Sequence, residues 1–174
     1  MMKTILKQAT GGATAGIVAA FAMQQFVSLW HSTKGRKLQD GAFGLDREAD
    51  INAAQGLWQF FFRKNLTERE AIMVARVMHY GYSAAASAGY AVSVGKNPGF
   101  RAGFGTVYGT VLWLVGDEIA ITLMRLSDPR SKTKASHAVA FTAHLIFGSV
   151  AELSRRMLLD QGNPKEKSGL RTTD

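Results

Sequence analysis

The strongest constraint on the fold is an apolar run, residues 101–126, that carries Asp117 and Glu118 side by side in its interior. A charged pair inside an apolar helix is costly in lipid unless it faces protein, water or an opposite charge. Gly105 and Gly109 in the same run form a small-xxx-small pair, which lets a second helix approach the backbone closely. The run therefore predicts a membrane helix that packs against others, with a polar cluster inside the bundle.

Three further apolar runs, residues 8–30, 71–95 and 135–159, are long enough to cross a hydrocarbon core of about 30 Å. Basic residues flank the runs, as anchoring charges do at membrane surfaces. We therefore predict an all-α fold, a four-helix transmembrane bundle that forms a single integral membrane domain over residues 1–160. A flexible polar tail follows, residues 161–174.

Local signals refine this pattern. Gly12 and Gly16 form a second small-xxx-small pair in the first run, and we expect both glycine pairs to serve helix packing. Thr67 followed by Glu70 is a capping-box pattern that opens the second spanning helix.

An aromatic segment, residues 51–66, lies between the first two runs and is too short to span a bilayer. Trp58 and three consecutive phenylalanines precede Arg63 and Lys64. Aromatic rings beside basic side chains suit the level of the lipid headgroups. The segment predicts an interfacial helix, and a loop packed on the bundle is the alternative.

Charge and composition narrow the classes of function. The formal net charge is +8, but nucleic-acid binding would need a basic face on a folded module rather than charges at the ends of apolar runs. We expect the lipid bilayer as partner, with a homo-oligomer or a larger membrane complex possible, and no nucleic acid and no cofactor. The chain has no cysteine, which excludes disulfides, a thiol nucleophile and a cysteine-based metal site.

Antiparallel threading brings ionisable side chains to one level. From the side of the first loop, His79 lies about 12 Å deep, and Asp117 and His144 about 13 Å deep, at 1.5 Å per helical residue. Arg76 and Glu118 fall near that level. A second polar group lies at the opposite end of the bundle and comprises Glu152, Arg155 and Arg156.

Three interpretations of the mid-depth cluster remain open. His79, Asp117 and His144 exchange protons, because histidine titrates near neutrality and intramembrane ionisable groups mark such paths. Alternatively, the same three residues are weak candidates for a zinc or iron site, although no HxxxH or ExxH spacing supports a metal. In the third interpretation the cluster is structural, with Arg76 neutralising Glu118 and the histidines bonding between helices.

The residues also resemble those of the YagU-like family of bacterial inner-membrane proteins, whose function is unknown. The similar positions are His79, Ser83, Gly89, Tyr90, Gly105, Gly109, Leu123, Met124, Leu126, Pro129, His144, Leu145, Glu152, Arg155 and Arg156. The resemblance covers roughly residues 75–160. It departs at Asp117, where that family is expected to have a histidine, and in the first loop.

This resemblance implies a multi-pass protein of the bacterial inner (plasma) membrane and supplies no established activity. Four spans put both termini on one side. Basic residues occur on both sides and do not settle the orientation by count, but the length of the first loop reduces its weight, so we place the termini in the cytoplasm. We expect a small membrane protein that is proton- or stress-related or an accessory to a larger complex, not an enzyme. The alternatives are a metal-dependent membrane enzyme that uses the His/Asp cluster, and a soluble helical bundle.

Overall fold

A computed structural model describes residues 2–33, 47–116 and 134–160 of the chain. Within those ranges the regular structure is entirely helical, which confirms the all-α class. The helices are α1 (Met2–Thr33), α2 (Arg47–Phe62), α3 (Glu68–Lys96), α4 (Thr106–Trp113) and α5 (Lys134–Leu159), and a 3-10 segment (Pro98–Gly105) precedes α4. The predicted tail and the segment that contains Asp117 and Glu118 lie outside the described residues.

Helix α1 is the centre of the bundle and packs against both α3 and α5. Its first turns lie beside the ends of those two helices, since Gly11 approaches Leu159 and Gly95 approaches Gln8. Helices α3 and α5 therefore both run antiparallel to α1. Helix α4 packs on α5, and α2 packs on α3. We call the end that holds the first turns of α1 the amino end of the bundle.

The capping box predicted at the start of α3 is confirmed. The Glu70 backbone N–H donates to Thr67 Oγ1 at 3.4 Å, and the Thr67 backbone N–H donates to Glu70 Oε2 at 2.8 Å. Both bonds satisfy amides that the first helical turn leaves without a partner. The bond from the Thr67 backbone, together with one from its hydroxyl, lowers the pKa of Glu70 below its ordinary value.

The third predicted helix begins later than the sequence pattern indicates. Gly103, Phe104 and Gly105 have φ angles of 64°, 54° and 84°, which lie in the left-handed region, so α4 starts only at Thr106. Glycine adopts such angles without strain, whereas Phe104 does so at a cost of about 1–3 kcal/mol. The glycines that look like packing residues in the sequence thus also form a sharp turn in the chain.

Both predicted glycine pairs lie where two helix backbones meet. A Cβ atom on Gly12 would come within 2.5 Å of the carbonyl oxygen of Ser87, and one on Gly16 would overlap the carbonyl oxygen of Ser83. On α4, a Cβ atom on Gly109 would overlap the carbonyl oxygen of His144. Gly105 meets Gly148 of α5 in the same way. These contacts leave no room for a side chain.

Many large apolar side chains are exposed, whereas much of the interior is built from small residues. Small residues dominate the buried positions, with Ala19, Ala20 and Ala143 fully enclosed, and Glu152 is 0% exposed. Large apolar side chains point outward, as Phe21 (56% exposed) and Val77 (69%) illustrate.

Among the described helices, α1 alone is both long and apolar enough to cross a membrane. Helices α3 and α5 have sufficient length, with 29 and 26 residues, but their small and charged residues lower their hydropathy. A buried core helix or an amino-terminal signal sequence would satisfy the same criteria as α1. Length and composition therefore support one span among the described helices.

The close packing of Gly109 generates a prediction. We expect Gly109→Ala to lower the free energy of unfolding by about 1–3 kcal/mol, because the added methyl group overpacks the contact with α5. The matched control is Gly81→Ala on α3, where an added Cβ atom meets nothing within 4 Å. Thermal unfolding of both purified variants in detergent measures the difference. Equal melting temperatures for the two variants would show that the α4–α5 contact is not tight.

Candidate functional site

The two predicted histidines lie at one level of the bundle. One apolar cluster joins α1, α3, α4 and α5, and it includes Tyr80 and Ala143. Tyr80 directly follows His79 in the sequence, and Ala143 directly precedes His144. The imidazoles are close enough for a charge on His144 to act on His79. Two of the three side chains that the sequence predicts to converge thus lie within electrostatic range of each other.

The hydrogen bonding of His144 defines its neutral form. Its Nδ1 atom lies 3.0 Å from the carbonyl oxygen of Ala140. A carbonyl oxygen only accepts, so Nδ1 carries the proton and Nε2 carries the lone pair of the neutral ring. In this tautomer, Nε2 of His144 lies on the side of the ring opposite the bond to Ala140.

Two nitrogen atoms near this level are buried and make no hydrogen bond within the described parts of the chain. They are His79 Nε2 and Trp113 Nε1, the second belonging to a ring that packs edge-on against Phe141 at 5.1 Å. Buried polar atoms in folded proteins almost always have a partner in the protein or an ordered water. The described residues therefore leave both nitrogens without the partner that such atoms usually have.

The structure places only one of the remaining members of the predicted cluster. Asp117 and Glu118 lie outside the described residues. Arg76 is on the exposed side of α3, about one turn before Tyr80. Residues 2–33, 47–116 and 134–160 contain no group of three metal-ligating side chains, so a metal site at His79 and His144 would depend on Asp117.

The most completely bonded polar group is the carboxylate of Glu152, near the amino end of the bundle. The Arg155 guanidinium donates from Nε at 2.7 Å and from Nη2 at 3.1 Å, and the Arg156 Nε atom donates at 2.6 Å. The Tyr90 hydroxyl of α3 donates at 2.9 Å. A carboxylate has about four acceptor sites, and here all of them are used. We call Glu152, Arg155, Arg156 and Tyr90 the carboxylate cluster.

The charges of the carboxylate cluster are balanced locally. Arg155 is only 3% exposed and also donates to both carboxylate oxygens of Asp160, at 3.3 and 3.2 Å. The Arg156 guanidinium covers the ring of Phe104 at 4.6 Å from its centroid. Two acidic and two basic side chains thus neutralise each other, which offsets the cost of burying them.

A pair of tyrosines extends the carboxylate cluster towards α4. The Tyr90 and Tyr108 rings stack with centroids 4.2 Å apart and an angle of 10° between their planes. The Tyr108 hydroxyl shares a 3.1 Å hydrogen bond with the Ser87 hydroxyl. This polar column ties α3, α4 and α5 together. It is better suited to holding helices in register than to catalysis, because the carboxylate and its arginines are all occupied.

The sequence pattern indicates only part of this arrangement. The spacing from Glu152 to Arg155 and Arg156 is i,i+3 and i,i+4, which predicts pairing on one helix face. Nothing in the spacing shows that Tyr90 of another helix completes the carboxylate. Counting depth along the helices, which puts His79 and His144 at one level, also puts Tyr90 and Glu152 together at the amino end of the bundle.

Comparisons of the chain with protein families, with curated proteins and with solved structures find no match. The resemblance to the YagU-like family therefore stays a prediction.

The carboxylate cluster generates a prediction about stability. Glu152→Ala leaves Arg155 buried without its main counter-charge, so we expect a loss of about 3–5 kcal/mol in the free energy of unfolding. The control is Leu153→Ala, the neighbouring residue, whose side chain is exposed. Unfolding by denaturant in detergent compares the two variants. A loss for Glu152→Ala no larger than for Leu153→Ala would contradict a stabilising role for the carboxylate cluster.

Proposed function

We propose that the chain is a small multi-pass protein of the bacterial plasma membrane that acts as an accessory component of a larger membrane complex. The observation that carries the membrane location in this proposal is the distribution of side chains, with Glu152 and Arg155 buried inside the bundle and many large apolar side chains exposed. In this proposal the stretch that α4 begins completes a four-helix transmembrane bundle with α1, α3 and α5, and both termini are cytoplasmic.

The outward faces of the helices support the proposal. Ile17 and Phe21 of α1, Val77 of α3, Val111 of α4 and Met157 of α5 all expose large apolar side chains. Soluble monomers rarely expose extensive contiguous apolar surface, because water disfavours it. Lipid chains, in contrast, solvate such surfaces on every side of a bundle.

The interior supports the same proposal. Helices in lipid gain nothing from hiding apolar surface from one another, so they associate through close backbone packing and hydrogen bonds between helices. This bundle uses both, with the glycine contacts already described and the hydrogen bond of 2.8 Å from the Tyr80 hydroxyl to Gln24 Oε1. The carboxylate cluster adds a buried, balanced set of charges that faces protein instead of lipid.

Helix α2 fits the interfacial position expected from its sequence. Phe60, Phe61 and Phe62 at its end are all more than half exposed, and Arg63 and Lys64 follow directly. The rings would enter the acyl boundary while the basic groups remain among the headgroups. Its contact with α3 would hold the helix at the membrane surface.

Membrane insertion and topology can be tested together. We expect the protein to stay in the membrane fraction after an alkaline carbonate wash. Reporters fused after Lys7 and after Gly162 should report the cytoplasm, and one near Gly41 should report the opposite side. Release by carbonate would overturn membrane insertion, and termini on opposite sides would overturn the four-span arrangement alone.

A second candidate function, proton exchange, is favoured by one observation: a buried His79 nitrogen without a hydrogen-bond partner in the described residues lies near His144. Histidine changes charge near neutral pH, and a nearby carboxylate such as Asp117 would favour its charged form. In this proposal His79, Asp117 and His144 relay protons through the bundle from one side of the membrane to the other.

If the proton hypothesis is correct, liposomes that contain the purified protein should show proton flux when a pH gradient is imposed. A pH-sensitive dye inside the liposomes measures this flux. His79→Gln and Asp117→Asn should each abolish proton flux while leaving the melting temperature within a few degrees of the unmodified protein. The control is His137→Gln, which removes a histidine in the first turn of α5, away from the level of His144, and should retain the flux. Flux that persists in both test variants would leave the histidines with a structural role only.

We also propose that the chain is related to the YagU-like family. The shared positions on α3, α4 and α5 support this relationship. If the kinship holds, a solved structure of a family member should place its glycine pair against the helix that carries the histidine and the Glu-Arg-Arg group. A member in which these positions lie on unrelated faces would end the proposal.

A further inference from the structure

The 3-10 segment between α3 and α4 presents an unusual group of side chains at the amino end of the bundle. Phe100 and Phe104 are 56% and 43% exposed, and Arg101 lies half-buried between them in the sequence. The Arg156 guanidinium covers the ring of Phe104. We call these four residues the connector patch.

Arg101 holds a buried donor that the described residues do not satisfy. Its Nε atom is enclosed and makes no hydrogen bond within residues 2–33, 47–116 and 134–160. Guanidinium groups are strongly hydrogen-bonding and prefer planar anions such as carboxylate and phosphate. Arg101, which is half-buried as a whole, thus has no anionic partner among the described residues.

The charge around the connector patch is also unbalanced. The basic residues described at this end are Lys3, Lys7, Lys96, Arg101, Arg155 and Arg156. The acidic residues described there, Glu152 and Asp160, are bonded to the last two arginines. The other four cations have no acidic partner among the described residues, so this end attracts anions.

From these observations we infer that the connector patch binds the headgroup of an anionic phospholipid such as phosphatidylglycerol. Arg101 contacts the phosphate, while Phe100 and Phe104 enter the acyl boundary beside it. The exposed rings favour a lipid over free phosphate, because a soluble anion would leave them in water. The inference rests on the proposed membrane location and adds a specific partner and the leaflet that this end faces.

The binding test uses the purified full-length protein in an uncharged detergent. We expect phosphatidylglycerol to raise the melting temperature, and phosphatidylcholine or inorganic phosphate at the same concentration to leave it unchanged. Arg101→Gln should weaken the apparent affinity for phosphatidylglycerol about fivefold, the effect of one basic residue near a lipid surface. Lys134→Gln removes an exposed positive charge at the opposite end and should leave the affinity unchanged.

A second variant covers the case in which Arg101→Gln does not fold. Phe100→Ala removes an exposed ring and should also reduce the number of phosphatidylglycerol molecules retained in native mass spectrometry. Equal stabilisation by all three additives, or equal losses for Arg101→Gln and Lys134→Gln, would overturn the connector patch as a lipid site. Stabilisation by inorganic phosphate alone would replace the lipid with a soluble anion. None of these outcomes alters retention of the protein after a carbonate wash, which tests the membrane location separately.

Discussion

The burial of the Glu152 carboxylate depends on Tyr90 reaching it from α3, a helix that, like α5, packs against α1. An ionised carboxylate moved from water into a protein interior costs several kcal/mol unless its acceptor sites are filled. Glu152 fills them with two arginines of its own helix and with Tyr90 of α3, whose hydroxyl lies 2.9 Å away. If the helices were separated by one more side chain, that tyrosine would no longer reach it.

Glycine and alanine set the helix separations on which this hydrogen bond depends. Gly12 and Gly16 bring α1 against the backbone of α3, and Gly105 and Gly109 bring α4 against the backbone of α5. Small residues at these contacts leave the large apolar side chains to face outward. The arrangement is efficient in lipid, where backbone contact and hydrogen bonds, not the exclusion of water, hold helices together. Close packing at small residues thus accounts both for the exposed large side chains and for the buried charges.

Much of the fold could be predicted from periodicity and composition. Apolar runs of sufficient length, a capping box at Thr67 and an aromatic segment ahead of Arg63 correspond to α1, α3, α5 and α2. The late start of α4 could not be predicted in this way. Small-xxx-small spacing is the same whether a glycine packs against a helix or adopts a left-handed angle, and Gly105 does both.

The proximity of side chains in the candidate site could be predicted only where it follows from their depth along the helices. Depth estimates bring His79 and His144 to one level, which matches their proximity in the structure. Whether a side chain faces a neighbouring helix depends on the rotation of each helix about its axis, and spacing in one helix does not determine that. The Tyr90–Glu152 hydrogen bond depends on how α3 and α5 are rotated about their axes. Spacing within α5 therefore indicates the arginine partners of Glu152 but not its tyrosine partner. Asp117 lies outside the described residues, so its part in the site stays a prediction.

The central claim is that the apolar outer faces of this bundle contact lipid. The chain has no cysteine, so a single spin label can be placed at any position without a competing thiol. The most direct measurement is the accessibility of labels at Phe21, Val77 and Val111 to oxygen and to a water-soluble nickel complex in liposomes. The account predicts high accessibility to oxygen and low accessibility to the nickel complex at all three positions. Labels that the nickel complex reaches as readily as exposed Lys134 would contradict it.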